Sequence, residues 1–491
     1  MGFTYTQEQL NYFQALEDAV NTDEDTLLKI QAVAGASKSS STVEAVRRVY
    51  DKNPGLKIRY LVFNTGMAAE AKADYKHMAI ASTLHSLAYH HTVGPYKLNK
   101  DIAPWISWKD IPKNIKIPFG TLPIILDQLN AYLESKYTSF SVFVKEEAQY
   151  HKRWMDSFEF IGNQILDAMA TGKMKITHAF YLKLFHILVK SGQVNLDPAD
   201  ILIIDECQDL TPITLDVFDA YPAKVKVMVG DQAQAIYGFM GCVSAFDFYD
   251  NHGIDLTLSK SFRVSEKIAG YIENFCKTEI NSSMDFKGME YPEDPTIKTH
   301  AYIFRTNLAM IRTMCEFNRD KKPYKLITKS KVKQLFELPL TLIYSKPGDK
   351  QYSPTLQNIQ DHVDDWGKLR PDQRPSKLSY LLEEMNEVPA VAQAIKMIRS
   401  VGTTEIIEAY EGATEHLHSN ANTILCTSHS SKGLTFDAVT LDASMDTSIE
   451  DIIKLDKFER DTEECAELYN YYVACTRARY VVNGANLLYA Y

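Results

Sequence analysis

Nothing in these 491 residues reads as a membrane span, a secretion signal, a repeat or a low-complexity tract. No run approaches the ~20 apolar residues needed to cross a bilayer. The opening stretch, MGFTYTQEQLNYFQALEDAV, is acidic and amphipathic and lacks the basic region and apolar core of a signal peptide. Gly2 followed by Thr6 is a weak myristoylation pattern, and no basic residues nearby supply a second membrane signal. The 7 cysteines are odd in number and form no C-x-x-C pair, which predicts reduced thiols, a cytoplasmic protein and no structural zinc. Positive charge is in deficit: 53 Lys and Arg stand against 63 Asp and Glu, a net charge of −10. That excludes coating nucleic acid by bulk charge, but not binding through a local basic groove, because surface fields are set by patches.

What is present is ordinary globular material, 45% hydrophobic and 24% charged. At ~150 residues per domain the length suggests about three domains. Leu27–Val33 reads as a strand, followed by a small-residue turn and a helix over Thr42–Tyr50. Ile58–Phe63 is a second strand, followed by a helix over Met67–Tyr75. Ile201–Ile204 and Val225–Val229 are short apolar strands that end in acidic residues. Such alternation predicts a parallel sheet covered on both faces. Prolines and long helical stretches interrupt it after residue 88, and a second helical, polar stretch covers about 321–418. The expected plan is an α/β chain with two parallel-sheet cores. Residues 1–88 and 156–250 form the first, with an insertion at 89–155. Residues 251–320 and 419–491 form the second, with an insertion at 321–418. Lys97–Lys116 and Asp320–Gln334 are basic runs within the insertions, where a polyanion could lie.

The turn after the first strand contains Ala34-Gly35-Ala36-Ser37-Lys38-Ser39-Ser40. A strand, a small-residue loop, Lys-Ser and a helix are the layout of a phosphate-binding loop, in which backbone N–H groups face the phosphates. Lys38 would reach the β/γ-phosphates and the Ser39 hydroxyl would bind Mg²⁺. Alone the turn is weak, because Ala32 and Ser37 replace two expected glycines. The strand Ile201–Ile204 strengthens it by ending in Asp205 and Glu206, at the sheet edge where ligands bind. Asp205 suits a Mg²⁺-associated carboxylate and Glu206 a base or water-orienting group.

At this point the chain resembles the UvrD/PcrA/Rep-like superfamily 1A DNA helicases. Asp205-Glu206-Cys207-Gln208-Asp209 is similar to their DEAQD box, and Val229 to Gly241 to VGDxxQxIYxFRG. Leu258 to Arg263 resembles LxxxYR, and Tyr302 to Asn307 the RTN segment. Thr427 to Asp437 resembles TxHxxKGLEFD, and Tyr472 to Ala478 resembles YVAxTRA. Thr6-Gln7-Glu8-Gln9 sits where the family reads adenine. Phe63-Asn64, Thr83 to Tyr89 and Tyr181 to Leu184 are closest in style to the F-box DNA helicase branch, without room for an F-box. The compact length suggests a minimal, phage-encoded version.

The resemblance implies two RecA-like domains of the P-loop NTPase class with a nucleotide cleft between them, and ATP and Mg²⁺ as cofactors. Gln9 would contact adenine and Phe262 would stack on it. Ala34 to Ser40 would cradle the phosphates, Gln234 would sense the γ-phosphate, and Arg263 and Arg477 would act as arginine fingers. Phe63, Asn64, Thr83, His85, Tyr237, Phe239 and His429 lie at segments that contact DNA in the family. Aromatics there would stack on bases at ~1–3 kcal/mol each without sequence preference. Read singly, Phe239 is a core aromatic and His85 and His429 are structural histidines. Met240 and Thr435 stand where the family usually has Arg and Glu.

The function implied is an ATP-dependent helicase moving 3′→5′ on single-stranded DNA in replication, recombination or repair. The expected partners are single-stranded and forked DNA, with replication or recombination proteins as candidates, no membrane, and a monomeric protein. The rivals are a DNA-stimulated ATPase that displaces proteins from DNA with little unwinding, and a catalytically weakened DNA-binding scaffold.

Overall fold

The computed structural model describes residues 4–62, 64–104, 106, 110–118, 121–147, 152–236, 242–250, 252–327, 329–344, 389–416 and 420–491. The chain divides into two compact units, Met1–Ser261 and Phe262–Tyr491.

The first unit is built on a six-stranded sheet. Its strands are β1 (Thr26–Ala32), β2 (Ile58–Val62), β3 (Ile80–Thr83), β4 (Ala199–Ile204), β5 (Ala223–Gly230) and β6 (Ile254–Leu258). They lie in the order β3-β2-β4-β5-β1-β6, and neighbours are parallel. Leu28, Ile30, Ile201, Leu202, Ile203, Val225, Val227 and Val229 are fully buried. That is why these strands read as continuous apolar runs, each such side chain gaining ~1.5–3 kcal/mol on burial. β1 and β4 lie on either side of β5, so their carboxyl ends, where ligands bind in such sheets, are close together.

Helix α1 (Gln7–Asn21) starts with a capping box: Thr6 accepts from the Gln9 amide and Gln9 accepts from the Thr6 amide. Helix α2 (Lys38–Lys52) begins four residues earlier than the apolar pattern indicated, because its first turn, Lys-Ser-Ser-Ser, is polar. Helices α3 (Thr65–Tyr75) and α4 (Leu84–Thr92) follow β2 and β3.

Two expected boundaries are corrected. The first core extends past its expected end at residue 250: β6 pairs with β1 from Leu28↔Ile254 to Ala32↔Leu258 and completes the first sheet. The half-exposed IDLTL pattern of an edge strand hid it, and Lys29 ties it in with a 3.0 Å ion pair to Asp255. The first helical insertion extends past its expected end at residue 155. Its helices α5 (Leu122–Glu134), α6 (Phe140–Glu147) and α7 (Lys152–Ala170) share one apolar core, and Ile102 pairs with Ile176 just before α8 (His178–Lys190). The helical layer therefore continues to about residue 177. Helix α9 (Pro212–Ala220) links β4 to β5.

The second unit has a five-stranded sheet: β7 (His300–Phe304), β8 (Lys325–Leu326), β9 (Thr423–Thr427), β10 (Phe436–Leu441) and β11 (Ala478–Asn483). The order is β8-β9-β7-β10-β11, again parallel. Helix α10 (Asn307–Arg319) shares an apolar core with α11 (Lys329–Tyr344), α12 (Pro389–Val401) and α13 (Thr403–Glu415). Helix α14 (Thr462–Cys475) leads into β11. Asp437 clamps this unit: one oxygen accepts from the Lys298 and Thr299 amides and the other from Arg479 at 3.0 Å. The architecture is α/β with two parallel sheets, as two RecA-like P-loop domains require.

Candidate nucleotide site

The loop between β1 and α2 turns sharply. Gly35 has φ +77°, and the Ala36 amide donates back to the Val33 carbonyl at 3.0 Å. Ser37 then takes φ 58°, ψ 39°, a left-handed conformation that Gly enters without cost and other residues rarely adopt. This sets Lys38 at the first position of α2, where the helix N-terminus favours an anion.

Across the sheet, β4 ends in Asp205 and Glu206. Lys38 Nζ lies 3.5 Å from Glu206 Oε1, and Ser39 Oγ lies 3.5 Å from Asp205 Oδ2. The structure therefore brings together four of the residues singled out in the sequence. Burial opposes the Lys38 charge, but Glu206, Asp231 and Asp205 outweigh it and hold its pKa above the ordinary lysine value. Asp205 is 2% exposed, and burial and the Glu206 charge raise its pKa. Lys38, the Tyr60 hydroxyl and the Glu206 amide act in the opposite sense.

Two residues without an assigned role complete the arrangement. The Gln208 amide nitrogen donates to Glu206 Oε2, and its oxygen accepts from the Asp231 amide at 3.0 Å. Asp231 Oδ2 in turn accepts from Gln234 Nε2 at 2.6 Å. Glu206 is thus linked through Gln208 and Asp231 to Gln234. The link leaves no room for a side chain at residue 230: a Cβ on Gly230 would lie 2.5 Å from Gln208 Oε1 and 2.7 Å from Cys207 Sγ. The box segments in the sequence contain Gln208 and Asp231, so their motif membership was the available signal. Tyr60, which donates to Asp205, carries none.

A Mg²⁺ ion fits the donor set. Ser39 and Asp205 offer hard oxygen ligands side by side, and among the described residues no group of three or more His, Cys, Asp or Glu forms a dedicated metal cage. Mg²⁺ is commonly held by one or two protein oxygens together with substrate phosphates.

Gln9 is nearly buried, with its amide engaged by Thr6 and by Ser41 at 2.9 Å. One amide hydrogen and one lone pair remain by valence for a base. Ser40 is exposed on the first turn of α2. Among the proposed DNA contacts, Asn64 and Thr83 cap α3 and α4, accepting from Met67 and Ser86 amides. His85 packs edge-on against His178 and Tyr181, and burial and His178 lower its pKa. His85 and Asp205 also line one cavity of about 160 Å³ with Leu61, Leu84, Leu133 and Leu182. Phe63, Tyr237 and Phe239, like Met240, lie outside the described residues.

In the second unit, Phe262 and Arg263 are half-buried on one strand, and Arg263 Nη1 lies 3.5 Å from the Thr476 carbonyl. Arg477, 1% exposed, donates from Nε to the Val473 carbonyl at 2.8 Å and from Nη2 to Thr476 Oγ1 at 2.9 Å. The two candidate arginine fingers therefore meet at Thr476. His429 sits in the short helix Ser428–Ser431, which Thr427 caps.

A family model described as an AAA domain matches residues 16–240. F-box DNA helicase protein 1 of Schizosaccharomyces pombe is 23% identical over 92% of this chain and 55% of its own length. F-box DNA helicase 1 of Gallus gallus is 25% identical over 50% of this chain and 25% of its own length. The chain spans about half the length of the first of these curated relatives and aligns with a quarter of the second.

Proposed function

We propose that the chain is a superfamily 1 helicase, an ATP-dependent DNA helicase that translocates on single-stranded DNA. The observation that carries this reading is the pairing of Lys38 with Glu206 and of Ser39 with Asp205 at the carboxyl ends of two strands of one parallel sheet. Lys38 and the first-turn amides of α2 bind and orient the phosphates. Ser39 and Asp205 would hold Mg²⁺, which would supply neutralisation of phosphate charge. Glu206 orients the attacking water and receives its proton. Gln208 holds Glu206 in place, and Gln234 relays the state of the γ-phosphate. Gln9 and Phe262 take the adenine, and Arg263 and Arg477 are the arginine fingers. DNA lies against Phe63, Asn64, Thr83, His85, Tyr237, Phe239 and His429.

The direction of travel, 3′→5′, follows the family resemblance, as does a role in replication, recombination or repair. We place the protein in the cytoplasm as a monomer.

The test is ATP turnover with and without single-stranded DNA, together with unwinding of 3′-tailed, 5′-tailed and forked duplexes. The expected result is DNA-stimulated turnover and unwinding of the 3′-tailed and forked substrates alone. Turnover without unwinding but with displacement of a bound protein favours a remodelling ATPase. Absence of turnover overturns the motor reading in favour of a scaffold.

A further inference from the structure

Tyr60 lies on β2, opposite Ile203 of β4, and is 2% exposed. Its ring packs against that of Tyr75, with centroids 4.6 Å apart. Its hydroxyl lies 2.5 Å from Asp205 Oδ2, and because an ionised carboxylate only accepts, the tyrosine donates. The other oxygen, Oδ1, accepts the Glu206 amide at 2.9 Å. Each oxygen of Asp205 therefore has its own donor within the protein. Oδ2 is also the oxygen nearest Ser39 Oγ, so Tyr60 holds the oxygen that faces the metal position.

A carboxylate at a strand end has a broad, two-fold torsion about its last bond. Donors on both oxygens fix its plane before any ligand arrives. A purely space-filling role for Tyr60 is disfavoured by the hydroxyl itself. Phenylalanine would fill the same core without burying a polar group, whereas the Tyr60 hydroxyl is buried and aimed at a carboxylate 145 residues away.

We propose that Tyr60 is a positioning residue for the metal carboxylate, setting Asp205 Oδ2 for Mg²⁺ and so making nucleotide binding Mg²⁺-dependent. This rests on the reading of Ser39 and Asp205 as the Mg²⁺ site. Partners of this kind behind a metal ligand typically account for ~10–100-fold in metal affinity or activity.

The experiment measures binding of a fluorescent ADP analogue to wild type, Tyr60→Phe, Asp205→Asn and the double variant. Each is titrated with Mg²⁺ after EDTA treatment at 10 °C, with a thermal melt as the check on folding. In Tyr60→Phe the affinity in EDTA should match wild type, while the Mg²⁺ concentration giving half of the tightening rises ~10-fold or more. In the Asp205→Asn background the same change should have less than about a twofold effect, because the two residues act through one contact. Should the single variant melt early, Mg²⁺-ADP against EDTA-ADP protection of its melt reads the same dependence.

An unchanged Mg²⁺ requirement in a folded Tyr60→Phe protein overturns the inference and leaves the nucleotide site standing. An equal loss in the Asp205→Asn background also overturns it, since Tyr60 would then act elsewhere. A wild type whose nucleotide affinity ignores Mg²⁺ overturns the inference together with the metal site it depends on.

Discussion

Ser37 and Glu206 share one backbone conformation: φ 58°, ψ 39° at Ser37 and φ 54°, ψ 43° at Glu206. Both are in the left-handed region, and neither is glycine. One precedes Lys38 and the other carries the carboxylate 3.5 Å from its Nζ. The two ends of the central ion pair are therefore each presented by a strained residue, and such strain gathers where surrounding structure holds a functional geometry in place.

That relationship predicts the outcome of Ser37→Gly. A left-handed conformation costs a non-glycine residue ~1–2 kcal/mol, and glycine returns ~0.5–1 kcal/mol of that through the entropy of the unfolded chain. The variant should gain up to ~1 kcal/mol, seen as a melting temperature higher by about 2–4 °C, with nucleotide binding retained. A lower melting temperature would show that the Ser37 side chain contributes more than its backbone costs.

Lys38→Ala removes the cation between Glu206 and the phosphates. ATP turnover should fall to background, while affinity for single-stranded DNA stays within about twofold, because the proposed DNA contacts use other residues. Filter binding beside a phosphate-release assay checks both. Wild-type turnover in the variant would sink the phosphate-loop assignment.

The arginines at Thr476 should separate by their stability effects. Either one changed to Ala should still bind nucleotide and lose ~10³-fold or more in turnover, the usual scale for an arginine finger. Arg477 is buried and bonded within its own helix end, whereas Arg263 is half-buried. Arg477→Ala should therefore also lower the melting temperature of the second unit, and Arg263→Ala should leave it nearly unchanged. A variant that loses only nucleotide affinity would refute the finger role for that residue.

Much of the framework was legible because strands buried on both faces carry unbroken apolar runs and end in the residues that do chemistry. Ile201–Ile204 followed by Asp205-Glu206 is such a signal, and so is the small-residue turn before Lys38. The edge strand Ile254–Leu258 was assigned to the wrong core because its short apolar alternation, with only Leu258 buried, lacks the continuous apolar run that marks the central strands of this sheet. The strain at Ser37 was partly legible, as a non-glycine where a glycine was expected. Tyr60 was not: its partner lies 145 residues away, and a tyrosine in a strand looks like any core aromatic. Lys183 was equally opaque, since nothing local marks a lysine in an apolar helix as buried.

Lys183 yields the pH prediction. It lies on α8, 2% exposed, and donates to the carbonyls of Ser135 at 2.7 Å and Tyr137 at 2.8 Å, with its ammonium 4.4 Å from the Tyr132 ring centre. Burial lowers its pKa to about 7 from an ordinary value of 10.5, with Asp216 opposing. Between those values the unfolded chain binds more protons at this residue than the folded chain does, so its linkage term makes stability rise with pH. Neighbouring His186, also lowered by burial, acts in the same sense just below the ordinary imidazole range. Denaturant unfolding of the first unit from pH 7 to pH 9 should show a rising stability, at most ~1.4 kcal/mol per pH unit from this residue. In Lys183→Met that part of the slope should vanish, and the two carbonyls left without a donor should cost ~1–3 kcal/mol at pH 7. An equal slope in both proteins would mean that Lys183 stays protonated across the range, held by its carbonyls and the Tyr132 ring.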